Sequence, residues 1–186
     1  MQIKEIHYTE RLVLRRLKLS DADLIFNSYA SNSESVKFVS WPRHRSIDDT
    51  IQYLEYAIKS WDTGSEFSFA IEHHQTNDFL GCIGFVNENG RVFIGYILNP
   101  KMEGKGFATE AATYILHFLS KQPEIYRIWA CCATENNASV RVLEKSGMIR
   151  EGVVKDWIVF PNLNNEARDC HFFYYPLKRS SVKINL

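Results

Sequence analysis

Residues 95–111 run from an apolar stretch through a glycine-bearing loop directly into a helical pattern. Residues 95–98 are strand-like, Gly104 and Gly106 lie in the loop, and Phe107 begins the helical spacing. Glycines let a backbone turn tightly and present its N–H groups, and a helix N-terminus adds unpaired donors and a positive dipole end. The stretch therefore predicts a strand–loop–helix unit that suits a phosphate, although a plain tight turn needs the same glycines.

The loop lacks two phosphate-site signatures. A P-loop places Ser or Thr directly after its lysine to bind magnesium, but Lys105 is followed by Gly106. The dinucleotide fingerprint needs a third glycine at the position that Thr109 occupies. These differences disfavour a nucleotide-binding protein and favour a pyrophosphate held by backbone amides without a metal ion.

A second helical segment follows the strand-like residues 126–133. Asn136 suits a helix N-cap, Val140 and Leu143 give a short apolar stripe, and Gly147 suits the helix end. Alone, this segment predicts an ordinary amphipathic helix.

Together the two segments resemble the GNAT superfamily of acetyl-CoA-dependent N-acetyltransferases, and within it the RimJ/RimL-like branch, named for enzymes that acetylate N-termini of ribosomal proteins. That branch shows a Gly-Tyr strand, a Gly-Lys-Gly-Phe-Ala-Thr-Glu-Ala loop and helix, and an Asn-x-Ala-Ser-x-Arg-Val-Leu-Glu-Lys-x-Gly helix. Residues 95–96, 104–111 and 136–147 match these patterns, and residues 9–15 resemble the opening strand of the branch. The resemblance covers roughly residues 8–178.

The resemblance implies an α/β (α+β) GNAT fold with a mixed, largely antiparallel sheet of six to seven strands and helices on both faces. Apolar alternation predicts strands at about residues 11–17, 67–71, 80–85, 92–96, 126–133, 152–160 and 168–175. Caps and helical spacing predict helices at about residues 20–29, 46–61, 107–120 and 136–146. We expect one acetyltransferase domain over residues 8–178 and a C-terminal tail over residues 179–186.

Charge balance and hydropathy exclude several function classes. The 186 residues carry 22 basic and 22 acidic side chains, so the chain has no overall positive charge for general nucleic-acid binding. No apolar run is long enough for a membrane span, and the amino end lacks the apolar core of a signal peptide. We expect a cytoplasmic enzyme without a membrane partner, and the sequence leaves monomer and homodimer open.

Four cysteines are present without a disulfide or metal pattern. There is no C-x-x-C pair, and no histidines lie at metal-ligand spacing. We expect reduced, structural thiols and no metal site.

The resemblance also implies a binding site for acetyl-CoA, the acetyl donor. The expected cofactor-binding residues are Ile97, Leu98, Asn99, Gly104, Lys105, Gly106, Phe107, Ala108, Thr109, Asn136, Ser139 and Lys145. In the family picture, the strand at residues 96–99 parts from its neighbour and frees N–H groups for the pantetheine arm and the thioester carbonyl. The Leu98 amide is then the expected oxyanion donor, and Asn136 binds the pantetheine arm unless it serves only as an N-cap.

Two positions depart from the superfamily pattern. Glu103 replaces a Gln or Arg beside the expected pyrophosphate, so we expect its carboxylate to point outward, with Lys101 and Lys105 compensating. Leu143 occupies the position of a tyrosine general acid found in many members. As in the RimJ/RimL branch, Ser139 is then expected to protonate the leaving thiolate, which needs only a modest acid; the alternative is a plain first-turn helix residue.

The acceptor amine is less defined by the sequence. Residues 36–45 are basic and aromatic, which disfavours a polycation and tolerates a peptide N-terminus or an anionic small molecule. The candidate substrate-lining residues are Trp41, Arg43, Tyr96, Trp157 and Phe160. The function expected is acetyl transfer to a primary amine such as a protein N-terminal α-amine, and the alternatives are a small-molecule amine or a non-catalytic acetyl-CoA sensor.

No general base stands out. The candidates by residue type are Glu66, Glu110, Asp156, Asp169 and His171. A chain of water molecules to solvent is an alternative that needs no dedicated base.

Overall fold

The computed structural model describes residues 3–177, and the expected tail at 179–186 and residue 178 lie outside them. Its strands are β1 (Ile6–Tyr8), β2 (Leu12–Arg16), β3 (Glu66–His73), β4 (Phe79–Glu88), β5 (Arg91–Leu98), β6 (Arg127–Ala133), β7 (Ile149–Val159) and β8 (Ala167–Tyr174). Its helices are α1 (Ala22–Ile25), α2 (Ile47–Thr63), α3 (Phe107–Ser120) and α4 (Asn137–Lys145). The strands form one sheet in the order β1-β2-β3-β4-β5-β6-β8-β7.

The fold class expected from the resemblance is confirmed, with two corrections. The sheet has eight strands where six to seven were expected. The additional strand is β1, which is only three residues long and leaves Ile6 and Tyr8 exposed. A strand this short does not show the alternation of apolar and polar residues from which a strand is predicted. The first expected helix is also not continuous: α1 passes into a π-helical segment at Phe26–Ala30. Neighbouring strands are antiparallel except β5 and β6, which are parallel.

Helices cover both faces of the sheet because alternate strand residues point to opposite sides. On one face, α3 buries its apolar stripe against Phe69, Ile83 and other strand residues. On the other face, α1 and α2 pack against Ala70 and Cys82, which neighbour those residues along β3 and β4. No helix within residues 3–177 has the length and apolarity to cross a bilayer.

Local signals explain the bounds of α2. Ser46 and Asp49 form a capping box, in which the Ser46 side chain accepts a bond from the Asp49 N–H at 3.4 Å. Gly64 ends the helix with a φ of +75°, a conformation that favours glycine. This helix carries Tyr53 and Tyr56 to the candidate site.

A partly buried ion network ties α1 to the sheet. Arg15 on β2 donates two hydrogen bonds to Asp21, at 2.7 and 2.8 Å, and two to Glu72 on β3, at 2.6 and 2.9 Å. The side chain of Asp21 is only 3% exposed. A buried carboxylate is tolerated only while its partner is in place.

Removing the positive charge of Arg15 should therefore destabilise the folded protein. We expect Arg15→Met to lower the free energy of unfolding by about 3–5 kcal/mol, because Asp21 stays buried without its partner. Arg91→Met is the control, since the Arg91–Glu88 pair is half-exposed on both sides and should contribute about 1 kcal/mol or less. Urea unfolding of both variants measures the difference, and equal losses would contradict the assignment.

Candidate functional site

The parallel pairing between β5 and β6 stops well before either strand ends. Its register runs from Arg91–Arg127 to Phe93–Trp129, while β5 continues to Leu98 and β6 to Ala133. The strands thus part at their carboxyl ends, as the family picture implied. Because parallel strands share the edge at which they end, the loop before α3 and the start of α4 lie on the two sides of this gap.

The gap leaves backbone donors of β5 without a strand partner. Asn99 N–H donates to the Leu80 carbonyl of β4 at 2.8 Å. Since successive N–H groups of a strand point to opposite sides, the Leu98 amide faces the gap. This is the amide expected to serve as oxyanion donor.

The glycine loop presents a second set of free donors. Gly104 and Gly106 adopt φ values of +74° and +83°, which other residues rarely adopt, and Gly106 is the N-cap of α3. Within residues 3–177, the N–H groups of residues 104–109 make no hydrogen bond to the protein, and the first is that of Glu110 to the Gly106 carbonyl. Six successive amides at a helix N-terminus are a suitable site for a pyrophosphate.

Glu110 anchors this loop to the N-terminal strand. Its carboxylate accepts bonds from the Thr9 hydroxyl (2.6 Å), the Arg11 backbone N–H (2.9 Å) and the Arg11 Nε (2.7 Å). Arg11 also donates to the Lys105 carbonyl at 3.2 Å and lies over the Phe107 ring at 4.7 Å. Sequence reasoning missed Arg11 because these contacts join residues about a hundred positions apart.

The start of α4 forms the opposite wall of the gap. Asn136 caps this helix, its Oδ1 accepting a bond from the Ser139 backbone N–H at 3.0 Å. Tyr96 on β5 donates its hydroxyl to the Ser139 carbonyl at 3.2 Å, and burial raises the pKa of this phenol, which therefore stays protonated. The Ser139 side chain also hydrogen-bonds with the Tyr96 hydroxyl, and both residues border the gap.

Two cavities adjoin this region. The smaller, about 290 Å³, follows the gap between β5 and β6 and is lined by Tyr96, Asn136 and Ser139 among others. The larger, about 750 Å³, lies between α2 and the segment at residues 41–45. Of the expected substrate-lining residues, Tyr96 and Phe160 line the smaller cavity, Arg43 the larger, and Trp41 both.

Other expected site residues lie elsewhere. Trp157 on β7 is 48% exposed, packs edge-on against Phe172 at 5.0 Å and lines neither cavity. Lys145 is exposed at the end of α4 opposite Asn136. Glu103 is exposed, in agreement with an outward-pointing carboxylate.

The candidate general bases separate clearly by position. Glu110 is occupied by the bonds described above, and Asp169 binds a lysine and the Asp156 backbone N–H. Burial lowers the pKa of His171 on β8. These four residues line neither cavity, whereas Glu66 lines both.

Cys132, which borders the gap, is a protonated thiol. Burial, reinforced by Cys170, raises the pKa of Cys132 to about 12. At neutral pH this thiol is therefore a poor nucleophile.

Comparison with known proteins identifies relatives across this whole region. A protein-family model described as "Acetyltransferase (GNAT) domain" matches residues 11–149, which include the loop, the parted strands and α4. "Uncharacterized N-acetyltransferase p20" of Bacillus licheniformis is 31% identical, covering 82% of this chain and 87% of that protein. The ribosomal protein uS5-alanine N-acetyltransferase of Escherichia coli K12 is 27% identical over 81% of each chain. The crystal structure of a GNAT-family acetyltransferase from Bacillus anthracis has a TM-score of 0.82 at 28% identity, covering 94% of this chain and 99% of that one.

The anchoring of the glycine loop should depend on pH. Burial alone would raise the pKa of Glu110, but the bonds from Thr9 and Arg11 outweigh it and lower the pKa. The carboxylate therefore stabilises the fold above its unfolded pKa of about 4.3, and this contribution is lost as pH falls through the lowered folded pKa.

We expect Glu110→Gln to be less stable than the wild type at pH 7, with the difference shrinking in acid below pH about 4. Urea unfolding at a series of pH values measures this. Glu144→Gln, which removes an exposed pair with Arg150, should show a much smaller difference at pH 7. A Glu110→Gln deficit that is constant down to acid pH would contradict the assignment.

Proposed function

The chain belongs to the GNAT acetyltransferase family, which makes it an acetyl-CoA-dependent N-acetyltransferase, and we propose that its acceptor is the α-amine at a peptide or protein N-terminus. We further propose that residues 8–178 act as one catalytic domain, because every strand of the described part joins a single sheet.

One observation carries the proposal. The free amides at residues 104–109 and the side chain of Ser139 lie on two sides of the same gap, between the parted ends of β5 and β6. A long donor with an anionic end and a reactive thioester end needs such a continuous arrangement. The amides suit the pyrophosphate, and the gap suits the pantetheine arm.

The remaining residues of the proposed donor site follow from this placement. Ile97 and Leu98 are the last residues of β5 and Asn99 follows directly, so all three lie beside the gap, and Lys105 adds a positive charge beside the loop. Asn136 uses Oδ1 for the helix cap, which leaves its Nδ2 donors for the arm. Lys145, at the far end of α4, is proposed to contact the part of acetyl-CoA that lies outside the gap.

The chemistry divides between two protein groups. Acetyl-CoA supplies a thioester whose carbonyl carbon accepts the neutral amine. The Leu98 N–H donates a hydrogen bond to the carbonyl oxygen where negative charge develops. The Ser139 hydroxyl gives a proton to the departing sulfur and recovers one from the acylated nitrogen. Of the two protons that the ammonium group loses overall, one ends on the CoA thiol and the other goes to solvent.

The acceptor class has two supports. The E. coli relative is named for the alanine of a ribosomal protein, and the larger cavity opens beside the donor gap with a size typical of ligand sites. A small-molecule amine is the second candidate, favoured by the partial enclosure of that cavity. Thiol release from acetyl-CoA with a panel of N-terminal peptides and small amines distinguishes the two, and acetyl-CoA binding without any release would indicate a non-catalytic sensor.

The loop assignment predicts a loss of donor binding in Gly106→Val. A branched side chain at a φ of +83° should displace the loop amides and weaken CoA binding by about 1–3 kcal/mol. Gly64→Val is the matched control, since Gly64 has a φ of +75° and open space around it but lies at the end of α2. Calorimetry with CoA and melting temperatures test both variants. Unchanged CoA affinity in a folded Gly106→Val protein would refute the loop site.

The proton-donor role predicts a rate effect in Ser139→Ala. We expect kcat to fall about 100-fold, the span of one acid–base group, with acetyl-CoA affinity nearly unchanged. Melting temperature should also change little, because the α4 cap uses the backbone N–H of residue 139 and not its hydroxyl.

Two further variants check the interpretation. Asn136→Ala should weaken acetyl-CoA binding and cost about 1 kcal/mol of stability through the lost cap. Ser120→Ala removes a helical hydroxyl far from the cavities and should leave kcat unchanged. A Ser139→Ala enzyme with near wild-type kcat would refute the catalytic role.

A further inference from the structure

The two cavities share a wall, and one charged residue lies in it. Trp41, Tyr53, Glu66 and Ile97 line both cavities. Of these four, Glu66 alone carries a charge. A molecule in the larger cavity therefore meets this carboxylate at the entrance to the donor gap.

The Glu66 carboxylate spans the junction between the cavities. Oε1 accepts a bond from the Ser68 hydroxyl and Oε2 one from the Tyr56 hydroxyl, both at 3.2 Å. Ser68 lines the smaller cavity and Tyr56 the larger. Among residues 3–177 no lysine, arginine or histidine pairs with Glu66, although it is half-buried. A partly desolvated carboxylate held only by neutral donors favours a cationic ligand.

The smaller cavity extends from the Glu66 carboxylate across β4 to β5. Across the sheet, Ser68 is in register with Gly84, and Gly84 with Gly95 on β5. Both glycines line the smaller cavity and contribute no side chain to it. The smaller cavity is therefore lined continuously from Glu66 on β3 to Gly95 on β5.

The larger cavity also offers positive charge. Arg43 and Arg45 are exposed along it, and within the described residues their guanidinium groups have no ion pair or hydrogen bond. Their backbone N–H groups bind Asn162 (2.8 Å) and Asp49 (2.7 Å), which fixes the segment. Asp49, the other carboxylate of this cavity, is already occupied by that bond and one from the Ser46 N–H.

Resting on the proposed function, we propose that the larger cavity receives the acceptor, with Glu66 binding its ammonium group and Arg43 and Arg45 binding an anionic group on the same molecule. The acceptor is then a primary amine whose molecule carries a carboxylate. An N-terminal peptide with an acidic side chain and a free amino acid share this chemistry.

Glu66 also has the position to take the first proton. An N–H bond of the ammonium group breaks, an O–H bond forms on the carboxylate, and the electron pair stays on nitrogen for attack. The carboxyl group then releases its proton to water through the open larger cavity.

The test measures thiol release with acetyl-CoA against a panel of acceptors. It contains a peptide amide with acidic residues after its N-terminus, the same peptide with those residues replaced by Gln or Asn, free aspartate, and spermidine. We expect kcat/KM for the acidic peptide or for aspartate to exceed that for the neutral peptide and for spermidine by tenfold or more. The higher kcat/KM of the two, for the acidic peptide or for aspartate, shows whether the acceptor is a peptide N-terminus or a free amino acid.

Two sets of variants assign the charges. Glu66→Gln keeps the size of the side chain, and we expect it to lower kcat/KM for every amine about 100-fold with acetyl-CoA affinity unchanged. Glu55→Gln is its control, because it removes an exposed carboxylate of α2 outside both cavities. Arg43→Gln combined with Arg45→Gln should lower the ratio of kcat/KM for the carboxylate-bearing acceptors to kcat/KM for the neutral peptide by tenfold or more, and an unchanged ratio would contradict the role of the two arginines.

Failure of the inference differs from failure of the proposed function. Thiol release with a preference for spermidine or the neutral peptide, or a Glu66→Gln enzyme with wild-type kcat/KM, overturns the inference while acetyl transfer stands. Absence of thiol release with every acceptor, despite acetyl-CoA binding, overturns both.

Discussion

The end of the β5–β6 ladder after Phe93 and Trp129 is the constraint on which the site depends. Beyond it, each N–H group facing the gap would cost about 1–3 kcal/mol if buried without a partner. The gap therefore persists only as an opening to water or ligand, and a cavity lies along it. Because the two strands are parallel, the same opening brings the N-termini of α3 and α4 to one edge of the sheet.

Contacts from distant parts of the chain hold this opening and the segment beside it. Arg11 and Thr9 fix the start of α3 through Glu110. Asn162, in the turn between β7 and β8, holds the neighbouring segment by donating to the carbonyls of Val36 (2.8 Å) and Trp41 (2.9 Å). The segment that lines the larger cavity, which is the proposed acceptor site, is thus held by the β7–β8 hairpin, a part of the chain far from the glycine loop.

Local sequence patterns predicted most helices and strands, because an element that buries one face repeats its apolar residues at a characteristic spacing. The stripe of α3 and the alternation of β3 to β5 are examples, and the glycines at 104 and 106 do adopt the positive φ that the loop required. The strand gap was available only from the resemblance, since pairing between β5 and β6 is not encoded locally. Glu66 remained one candidate of five because Tyr56 reaches it only when α2 packs on the sheet.

The sequence left Asn136 as either a helix cap or a ligand for the donor, and the structure shows the cap, which is compatible with the proposed ligand role. A side-chain amide has an acceptor and two donors, and here the acceptor alone is used, for the Ser139 N–H. Because Asn136 supplies the cap, the Ser139 hydroxyl has no capping duty. The proposed proton donor therefore depends on Asn136. If the Ser139 hydroxyl were needed to cap α4, it could not protonate the departing sulfur.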